Sequence, residues 1–415
     1  MTEWLSWGAA LQVLIGAGLV VSLAFCLIGF ASARQFFRTP RGTDEPRIPH
    51  GVSVLKPLKG LEASLYENLA TFCEQDYPTF QIVFGVADAD DPAVGVVRRL
   101  QAAYPDVHID LVVDARVYGT NYKVSNLHNM YPAAAHEVIV LADSDMRVPR
   151  DYVRRVTAAL ADPTVGMVTC LYRALPTSGS ANLTEALFIN TTFAFLIMVA
   201  RVVEKPTYAF GATMAMRRAT LDEIGGFLPL VDYLADDYQL GNRIAARGYR
   251  LLLADLVVET VVAMGGWRHL LEHQLRWART NRVSRPGGYL GSVLTHGTLW
   301  ATLNLLYNPG NAVALLASAA VITARVLVAH RFATAFLGAA LPWRHAMLVP
   351  LQDLFMSATW ALAFLGDTVQ WSGRRFRVSR DGRMTQVSPE PSRRPAYATR
   401  RLETPAAGEP PAAAR

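Results

Sequence analysis

Acidic residues follow two predicted strands of this sequence, and their spacing suits the binding of a metal ion. Asp143 and Asp145 flank one serine directly after the apolar run Val138 to Ala142, and Asp88 lies just past the run Gln81 to Val86. Two carboxylates at i and i+2 can bind one divalent cation, and hard oxygen ligands suit Mg²⁺ or Mn²⁺ with a diphosphate completing the shell. The alternative is a turn with solvated or capping acids, the more common origin of a lone Asp-x-Asp.

A second acidic pair, Asp236 and Asp237, precedes Tyr238 and the helical stretch Gln239 to Arg247. Acids at a helix N-terminus interact favourably with the helix dipole, which is one interpretation of the pair. The other is general-base chemistry, in which one acid is held by its neighbours and the other accepts a proton.

Arg276 and Trp277 lie in the helical stretch Trp267 to Thr280, and His273 precedes Arg276 by three residues. The spacing puts His273 and Arg276 on one helix face. A guanidinium can bind a diphosphate, and an indole can stack on a sugar or exclude water. Taken alone, the pattern is also typical of a basic helix beside a membrane.

These side chains need a scaffold, and residues 51 to 253 alternate short β-rich runs with helical patterns. The candidate strands are Val52 to Leu55, Gln81 to Val86, Ile109 to Val113, Val138 to Ala142 and Val165 to Leu171. Such alternation predicts an α/β sheet of largely parallel strands, with ligands beyond the strands' carboxyl ends. The sequence contains neither a P-loop nor a Gly-x-Gly-x-x-Gly motif.

Apolar segments flank this region. Trp7 to Ala33 carries no charge and exceeds the roughly 20 residues needed to cross a bilayer. A cleaved signal peptide is the alternative, but the run is long for one and no Lys or Arg precedes it. Arg34, Arg38 and Arg41 follow it, which favours an anchor with this end in the cytoplasm.

Further apolar stretches occur in the middle and the last third of the chain. Ala186 to Val203 predicts a buried or interfacial helix in preference to a span, because it is short and contains polar residues. Three later stretches are apolar: Tyr289 to Tyr307, Ala312 to Ala329 and Ala346 to Gly366, the last being long enough to span. Arg325 and Asp353 lie within these stretches and either pair or reach to the interface.

The composition is unusual for a soluble protein. Of the 415 residues, 52% are hydrophobic and 18% are charged, whereas about a quarter is usual in soluble proteins. The net charge of +6 arises in part from arginines beside apolar segments, which is typical of membrane topology and not of a nucleic-acid groove. Three widely spaced cysteines indicate neither a disulfide framework nor a zinc site.

Together these residues resemble the GT-A glycosyltransferases with the D, DxD, D, (Q/R)xxRW pattern, and more closely the ceramide glucosyltransferases of glycosyltransferase family 21. The matching pieces are Val52 to Gly60, Asp88 to Pro92, Tyr118 to Leu127, Asp143 to Val148, Asp236 to Tyr238, and Arg276 with Trp277. Within the family, the chain is most similar to the bacterial glycosyltransferases associated with hopanoid biosynthesis.

The resemblance implies an α/β fold, namely a GT-A-type nucleotide-sugar-binding domain with flanking transmembrane helices. We expect a membrane anchor at residues 1–34, a catalytic domain at 45–285, a membrane region at 286–372 and a disordered cytosolic tail at 373–415. The enzyme would be a multi-pass protein of the inner membrane with its catalytic domain in the cytosol.

The resemblance also assigns roles to the residues. Lys56 and Asp88 would hold the uridine end of the donor, and Lys123, Asn126 and His273 are further donor-side positions. Asp143 and Asp145 would hold a Mn²⁺ or Mg²⁺ ion and the diphosphate, Asp237 beside Asp236 would be the catalytic base, and Arg276 and Trp277 would close on the donor. Two features depart from the family pattern: Asp145 is present where ceramide glucosyltransferases often lack the second acid, and His273 stands where Gln or Arg is usual.

The function implied is transfer of N-acetylglucosamine from UDP-GlcNAc to the lipid bacteriohopanetetrol, in a single inverting displacement. The first alternative is transfer of glucose from UDP-glucose to ceramide. A membrane scaffold that binds nucleotide without turnover and a processive polysaccharide synthase are further alternatives. The full set of acids with Arg276 argues against the scaffold, and the short C-terminal membrane part argues against the synthase.

Overall fold

A computed structural model describes residues 2–38 and 51–387 of the chain. The helices are α1 Thr2–Arg38, α2 Leu65–Cys73, α3 Ala93–Ala103, α4 Tyr122–Met130, α5 Tyr152–Ala158, α6 Ser180–Phe188, α7 Ala194–Val203, α8 Arg218–Glu223, α9 Asp236–Ala246, α10 Trp267–Ser284, α11 Pro286–Gly291, α12 Gly297–Tyr307, α13 Ala312–Arg331, α14 Trp343–Ala346 and α15 Val349–Leu362. The strands are β1 Val52–Pro57, β2 Phe80–Val86, β3 His108–Val113, β4 Val138–Leu141, β5 Met146–Arg147, β6 Val165–Pro176, β7 Met214–Arg217, β8 Arg250–Val262, β9 Thr368–Trp371, β10 Arg374–Val378 and β11 Met384–Gln386.

The eight strands β1 to β8 form one sheet in the order β3-β2-β1-β4-β7-β6-β8-β5. The predicted α/β sheet is confirmed, but it is mixed, since β7 runs antiparallel to both β4 and β6. The reason is the path of the chain between β6 and β7. Helices α6 and α7 leave the carboxyl end of β6 and return to the same edge of the sheet, so β7 starts at that edge and runs in the opposite direction to β6. This path brings the segment before β7 to the edge where β4 ends.

Each central strand is buried on both faces. In β1, Val52 and Val54 pack into one apolar cluster, whereas Leu55 packs into a second cluster on the opposite face. In β4, Val140 and Leu141 divide in the same way. Burial on both faces explains why β4 is a continuous apolar run, whereas β1 also contains the buried polar residues Ser53 and Lys56.

Three helices of the described region are long and apolar enough to cross a membrane: Trp7–Arg38, Ser180–Val203 and Ala312–Phe336. The predicted apolar N-terminal helix is therefore present. The second helix is interrupted by a π-helical turn at Ile189–Phe193, and 56% of its most apolar 18-residue stretch is buried inside the protein. Ser32 Oγ in α1 donates a hydrogen bond to the Met198 carbonyl in α7, at 2.6 Å, so the anchor packs directly against this helix.

The stretch Ala346 to Gly366, whose length suggested that it could span, is not one continuous helix, because α14 ends at Ala346 and α15 has 14 residues. At 1.5 Å per residue, α15 extends about 21 Å, which is less than the hydrocarbon thickness of a bilayer. Arg325 of α13 and Asp353 of α15 form a buried ion pair at 2.8 Å, so they pair and do not reach to the interface.

The disordered tail predicted at residues 373–415 starts at too low a residue number, because β10 and β11 lie within it. Strands β9, β10 and β11 form an antiparallel sheet, and its core contains Val369, Phe376 and Met384. Ser372 and Gly373 both have positive φ in the tight turn between β9 and β10, as two-residue hairpin turns require. The many arginines between the apolar positions hid this strand pattern. Residues 388–415 of the predicted tail, and Arg41, lie outside the described residues.

Candidate active site

The predicted acids converge at the carboxyl edge of the large sheet, where Lys123 joins two of them. The Lys123 ammonium lies 2.7 Å from Asp143 Oδ1, after β4, and 3.2 Å from Asp236 Oδ2, at the start of α9. The carboxylates raise the pKa of Lys123 despite its burial, so this side chain remains charged. The Asp143 loop and the Asp236–Asp237 pair, which are far apart in sequence, thus form one site.

Asp145 is held by a different element, strand β8. Its Oδ2 accepts a hydrogen bond of 2.8 Å from Thr260 Oγ1 in β8. Between the two aspartates, Ser144 Oγ donates to Glu62 Oε2 at 2.6 Å. Burial, followed by the negative charges of Asp143 and Glu62, raises the pKa of Asp145 above that of an ordinary aspartate. The loop therefore has more negative charge than its surroundings balance.

Lys56 at the end of β1 lies beneath this loop and is fully buried. Its ammonium donates a hydrogen bond of 2.6 Å to the Asp143 carbonyl and lies 3.7 Å from the centre of the Phe72 ring. Burial lowers the pKa of Lys56 to about 7, against the opposing attraction of Asp145 and Asp143. In this structure Lys56 supports the backbone of the Asp-x-Asp loop, and direct contact with uridine remains a prediction.

Asp237 is held by two backbone N–H groups. Gly211 N donates to its Oδ2 at 3.1 Å, and Tyr238 N donates to its Oδ1 at 2.7 Å. Burial and the charge of Asp236 raise the pKa of Asp237, while Lys123 opposes the shift. A fixed carboxylate with a raised pKa is the form that a general base near neutral pH requires.

Gly211 connects the two halves of the site, which the sequence alone did not indicate. In addition to its bond to Asp237, its carbonyl accepts a hydrogen bond from Asp143 N at 3.3 Å. A Cβ at this position would lie 2.6 Å from Asp143 Oδ2, so a larger residue would displace the carboxylate. Glycine therefore allows the backbone to approach both acids.

Asp88 and Asn126 lie at the end of β2 but do not contact the acid cluster. Asp88 is exposed and accepts a hydrogen bond of 3.0 Å from Asp90 N. Asn126 is buried and donates to the Gly85 carbonyl at 2.8 Å, which fixes the end of the strand. Asp88 is thus placed at the expected edge, and the donor contacts of both residues remain predictions.

Helix α10 brings the third predicted group to the site. Arg276 Nη2 lies 3.1 Å from His273 Nδ1, and burial lowers the pKa of Arg276 while Glu185 and the acid cluster oppose the shift. Trp277 packs edge-to-face on Phe188 and Phe193, with ring centres 6.0 and 5.4 Å away. The indole therefore forms a wall against α6 and its π-helical turn.

Sequence reasoning missed Glu185, a buried carboxylate in α6. Its Oε2 accepts a hydrogen bond from Gln274 Nε2, and its Oε1 lies 3.4 Å from His273 Nε2. The only signal in the sequence is an acid within an otherwise apolar helical stretch, which usually marks a functional residue.

The donor set at the Asp-x-Asp loop fits a divalent cation in its chemistry. Asp143 and Asp145 supply hard carboxylate oxygens, and because burial and the charges of Asp143 and Glu62 raise the pKa of Asp145, a bound cation would stabilise its ionised form. Among the described residues, no three His, Cys, Asp or Glu side chains surround a common metal position. A cation at this loop would therefore need further oxygens from a substrate or from water.

Comparison with known proteins places this site in a sequence family. Ceramide glucosyltransferase 1 of Caenorhabditis elegans is 28% identical over 211 residues, which cover 51% of this chain and 45% of that protein. The ceramide glucosyltransferase of Komagataella phaffii (strain GS115 / ATCC 20864) is 31% identical over 151 residues, 34% of this chain and 28% of that protein. The chain thus spans less than half the length of these curated relatives.

A solved structure shares the fold. The mannosyltransferase PcManGT from Pyrobaculum calidifontis, in complex with GDP-Man and Mn²⁺, superposes with a TM-score of 0.52 at 23% identity, covering 85% of this chain and 99% of that chain. The sequence model of Glycosyl transferase family 21 matches residues 14–384, from the N-terminal helix to β11. Because this match includes most of the N-terminal apolar helix and every predicted site residue, the chain belongs to glycosyltransferase family 21.

Proposed function

We propose that the protein is an inverting glycosyltransferase that moves a sugar from a UDP-sugar to the hydroxyl of a membrane lipid, with glucose and ceramide as the favoured pair. The main support for the proposal is the set of contacts that Gly211 and Lys123 make with the acids of the site. It holds the candidate base, Asp237, beside the candidate diphosphate and metal ligand, Asp143.

The mechanism is a single displacement at the anomeric carbon. The acceptor oxygen forms a bond to this carbon as the bond to the diphosphate oxygen breaks, and Asp237 takes the acceptor's proton. Lys123 pairs with Asp236, so Asp237 is the carboxylate available for the proton. Arg276 stabilises the negative charge of the leaving diphosphate.

A Mn²⁺ or Mg²⁺ ion held by Asp143 and Asp145 would supply further positive charge to the diphosphate. The protein's own contribution is to fix this loop from three sides. Lys56 holds the backbone of Asp143, Thr260 holds the side chain of Asp145, and Glu62 accepts from Ser144.

Ceramide is favoured over a hopanoid as acceptor. Both curated relatives described above are ceramide glucosyltransferases, so they support the ceramide alternative better than the bacteriohopanetetrol that the sequence resemblance suggested. The three apolar helices hold the site near a bilayer, where the effective concentration of a lipid acceptor is high. We place the enzyme in the inner membrane with the catalytic domain in the cytosol, as the arginines after α1 suggest.

The test uses the full-length protein in detergent with Mg²⁺. UDP-glucose and UDP-GlcNAc are each combined with ceramide and with bacteriohopanetetrol, and the products are identified by mass spectrometry, with Asp237→Asn as the inactive control. Glucosylceramide formation supports the proposal. Transfer of N-acetylglucosamine to bacteriohopanetetrol would show that these are the substrates in place of glucose and ceramide. Transfer only to a soluble sugar would contradict the proposal of a lipid acceptor. UDP binding without turnover on any acceptor would favour the scaffold.

A further inference from the structure

Three side chains form a chain of contacts from α6 to the face of α10. Glu185 is 1% exposed, and its Oε1 lies 3.4 Å from His273 Nε2. On the other side of the imidazole ring, His273 Nδ1 lies 3.1 Å from Arg276 Nη2. The imidazole therefore stands between a buried carboxylate and the guanidinium that faces the acid cluster.

The chemistry of the guanidinium sets the proton positions in this chain. Arginine has only donors, so Arg276 Nη2 must donate and His273 Nδ1 must accept. The single proton of the neutral ring is then on Nε2, which faces Glu185. Arg276 and His269 both disfavour a second proton on the ring, as does burial, which is the largest effect and lowers the pKa of His273 to about 3.

Glu185 is itself held in place. Gln274 Nε2 donates to its Oε2, and Oε1 has no hydrogen-bond partner among the residues that the structure describes. This Oε1 faces the Nε2 proton of His273 at 3.4 Å and is available as its acceptor. A separation of 3.4 Å is long for a hydrogen bond, and such contacts in active sites shorten when the substrate binds.

We propose that Glu185 and His273 are positioning residues that fix the guanidinium of Arg276 for the diphosphate of the nucleotide sugar. This inference rests on the proposed function, since it assigns Arg276 a diphosphate. The arrangement is analogous to the carboxylates that orient metal-binding histidines through the distal ring nitrogen. It leaves the remaining N–H groups of Arg276 for the ligand, because its bond to His273 uses only Nη2.

The proposal also gives a role to the residue that departs from the family pattern. A glutamine at position 273 has a carbonyl oxygen that can accept from Arg276, as His273 Nδ1 does. A phenylalanine keeps the ring volume and the packing on Trp277, whose ring centre lies 5.3 Å away, but has no acceptor. The two substitutions therefore separate hydrogen bonding from packing.

The first test is UDP binding to the full-length protein in detergent with Mg²⁺, measured by calorimetry. We expect His273→Phe to weaken binding about tenfold, the effect of one charge-assisted hydrogen bond, and His273→Gln to recover most of it. Glu185→Leu should also weaken binding, with the KM for the lipid acceptor unchanged. In an Arg276→Met background, which has no donor to His273, the effect of His273→Phe should disappear. His269→Phe, the same substitution at an exposed position one turn earlier, is the matched control.

Wild-type affinity for UDP in His273→Phe would overturn the proposal while leaving the proposed function intact. Failure of the wild-type protein to bind UDP would overturn both. A second measurement does not depend on the variants' stability: ¹⁵N NMR of histidine-labelled wild-type protein, with His273→Gln used to assign the signal. The expected signal is a neutral ring protonated at Nε2 from pH 5 to 8, and a ring protonated at Nδ1 or at both nitrogens would contradict the proposal.

Discussion

Asp236 and Asp237 are adjacent in the chain but have different partners, and this difference separates their roles. Asp236 is paired with the Lys123 ammonium at 3.2 Å. Asp237 accepts from the backbone N–H groups of Gly211 and Tyr238. These bonds orient the carboxylate, while burial and the charge of Asp236 raise its pKa and so provide the basicity that proton abstraction requires.

Replacing Asp237 by asparagine should abolish turnover and preserve donor binding, because an amide cannot accept the acceptor's proton. We expect kcat to fall about 10²- to 10⁴-fold. Asp236→Asn serves as the control. The initial rate of the reaction and the affinity for UDP are measured for both variants. The assignment would be reversed if Asp236→Asn were inactive and Asp237→Asn nearly unchanged.

The pH dependence should report the same carboxylate. Because the base must be deprotonated, activity should fall as the pH is lowered through the pKa of Asp237. Burial and Asp236 raise that pKa, so the fall should begin at a higher pH than for an ordinary aspartate. Removing the neighbouring charge in Asp236→Asn should move the acid limb of kcat/KM to lower pH. An unmoved limb would show that another group controls it.

Activity should depend on a divalent cation bound at the Asp-x-Asp loop. Chelation with EDTA should stop the reaction, and Mn²⁺ or Mg²⁺ should restore it. Asp145→Ala removes one carboxylate ligand and should raise the metal concentration for half-maximal rate by at least about tenfold. Thr260→Val, which removes only the hydrogen bond to Asp145, should have a smaller effect. Full activity in excess EDTA would mean that Arg276 and other cations neutralise the diphosphate without metal.

At the scale of elements, the small C-terminal sheet packs against the loop that precedes the candidate base. Met384 N donates to the Asp232 carbonyl at 2.7 Å, and Leu234 N donates to the Gly382 carbonyl at 3.2 Å. Arg279 of α10 donates to the Thr368 carbonyl at the start of β9. The sheet thus connects the two elements that carry Asp237 and Arg276.

A pair of truncations tests this connection. A chain ending at Asp381 loses β11 and both hydrogen bonds to the loop before α9, so we expect kcat to fall about 10- to 100-fold through misplacement of the base. A chain ending at Val387 keeps every described contact and should retain activity. Rates and melting temperatures of the two purified proteins are compared. Equal rates for both truncations would show that the sheet does not position the site.

At the scale of the whole molecule, the contacts of α1 define the two ends of the apolar helices. Near its start, the Gly8 carbonyl accepts from Tyr307 Oη at 3.0 Å, beside the turn between α12 and α13. Near its end, Ser32 contacts α7 of the catalytic domain. The turn at residues 308–311 therefore lies at the end of the helices opposite the catalytic domain, whereas β9 to β11 lie on the domain. Residues 286 to 367 thus leave the catalytic domain, turn at residues 308–311 and return to it.

We therefore expect the turn at residues 308–311 to face the periplasm and the C-terminal sheet to face the cytosol. A cysteine introduced at Gly310 should react with a membrane-impermeant thiol reagent in intact cells, and one at Thr385 should react only after lysis. The native cysteines Cys26, Cys73 and Cys170 are buried, so wild-type protein provides the background. Labelling at Thr385 but not at Gly310 in intact cells would show that the orientation is the reverse of the one expected.

The sequence alone was enough to identify the acids of the site, the basic helix α10 and the apolar N-terminal segment. A strand buried on both faces is a continuous apolar run, so its end is visible in the sequence, and Asp143, Asp145 and Asp88 follow such ends. The anchor is equally visible, because its length and lack of charge are properties of one continuous segment. The α10 pattern is local for the same reason, since His273 and Arg276 are one helical turn apart.

The tertiary structure alone decided how these parts act together. The contact between Lys123 and Asp236, the approach of Gly211 to two acids, and the position of Glu185 beside α10 all join residues that are distant in sequence. The antiparallel direction of β7 and the attachment of β11 likewise depend on the path of the chain between elements. Periodicity and composition describe one segment at a time, whereas the chemistry of this site depends on which segments the folded chain brings within hydrogen-bonding distance.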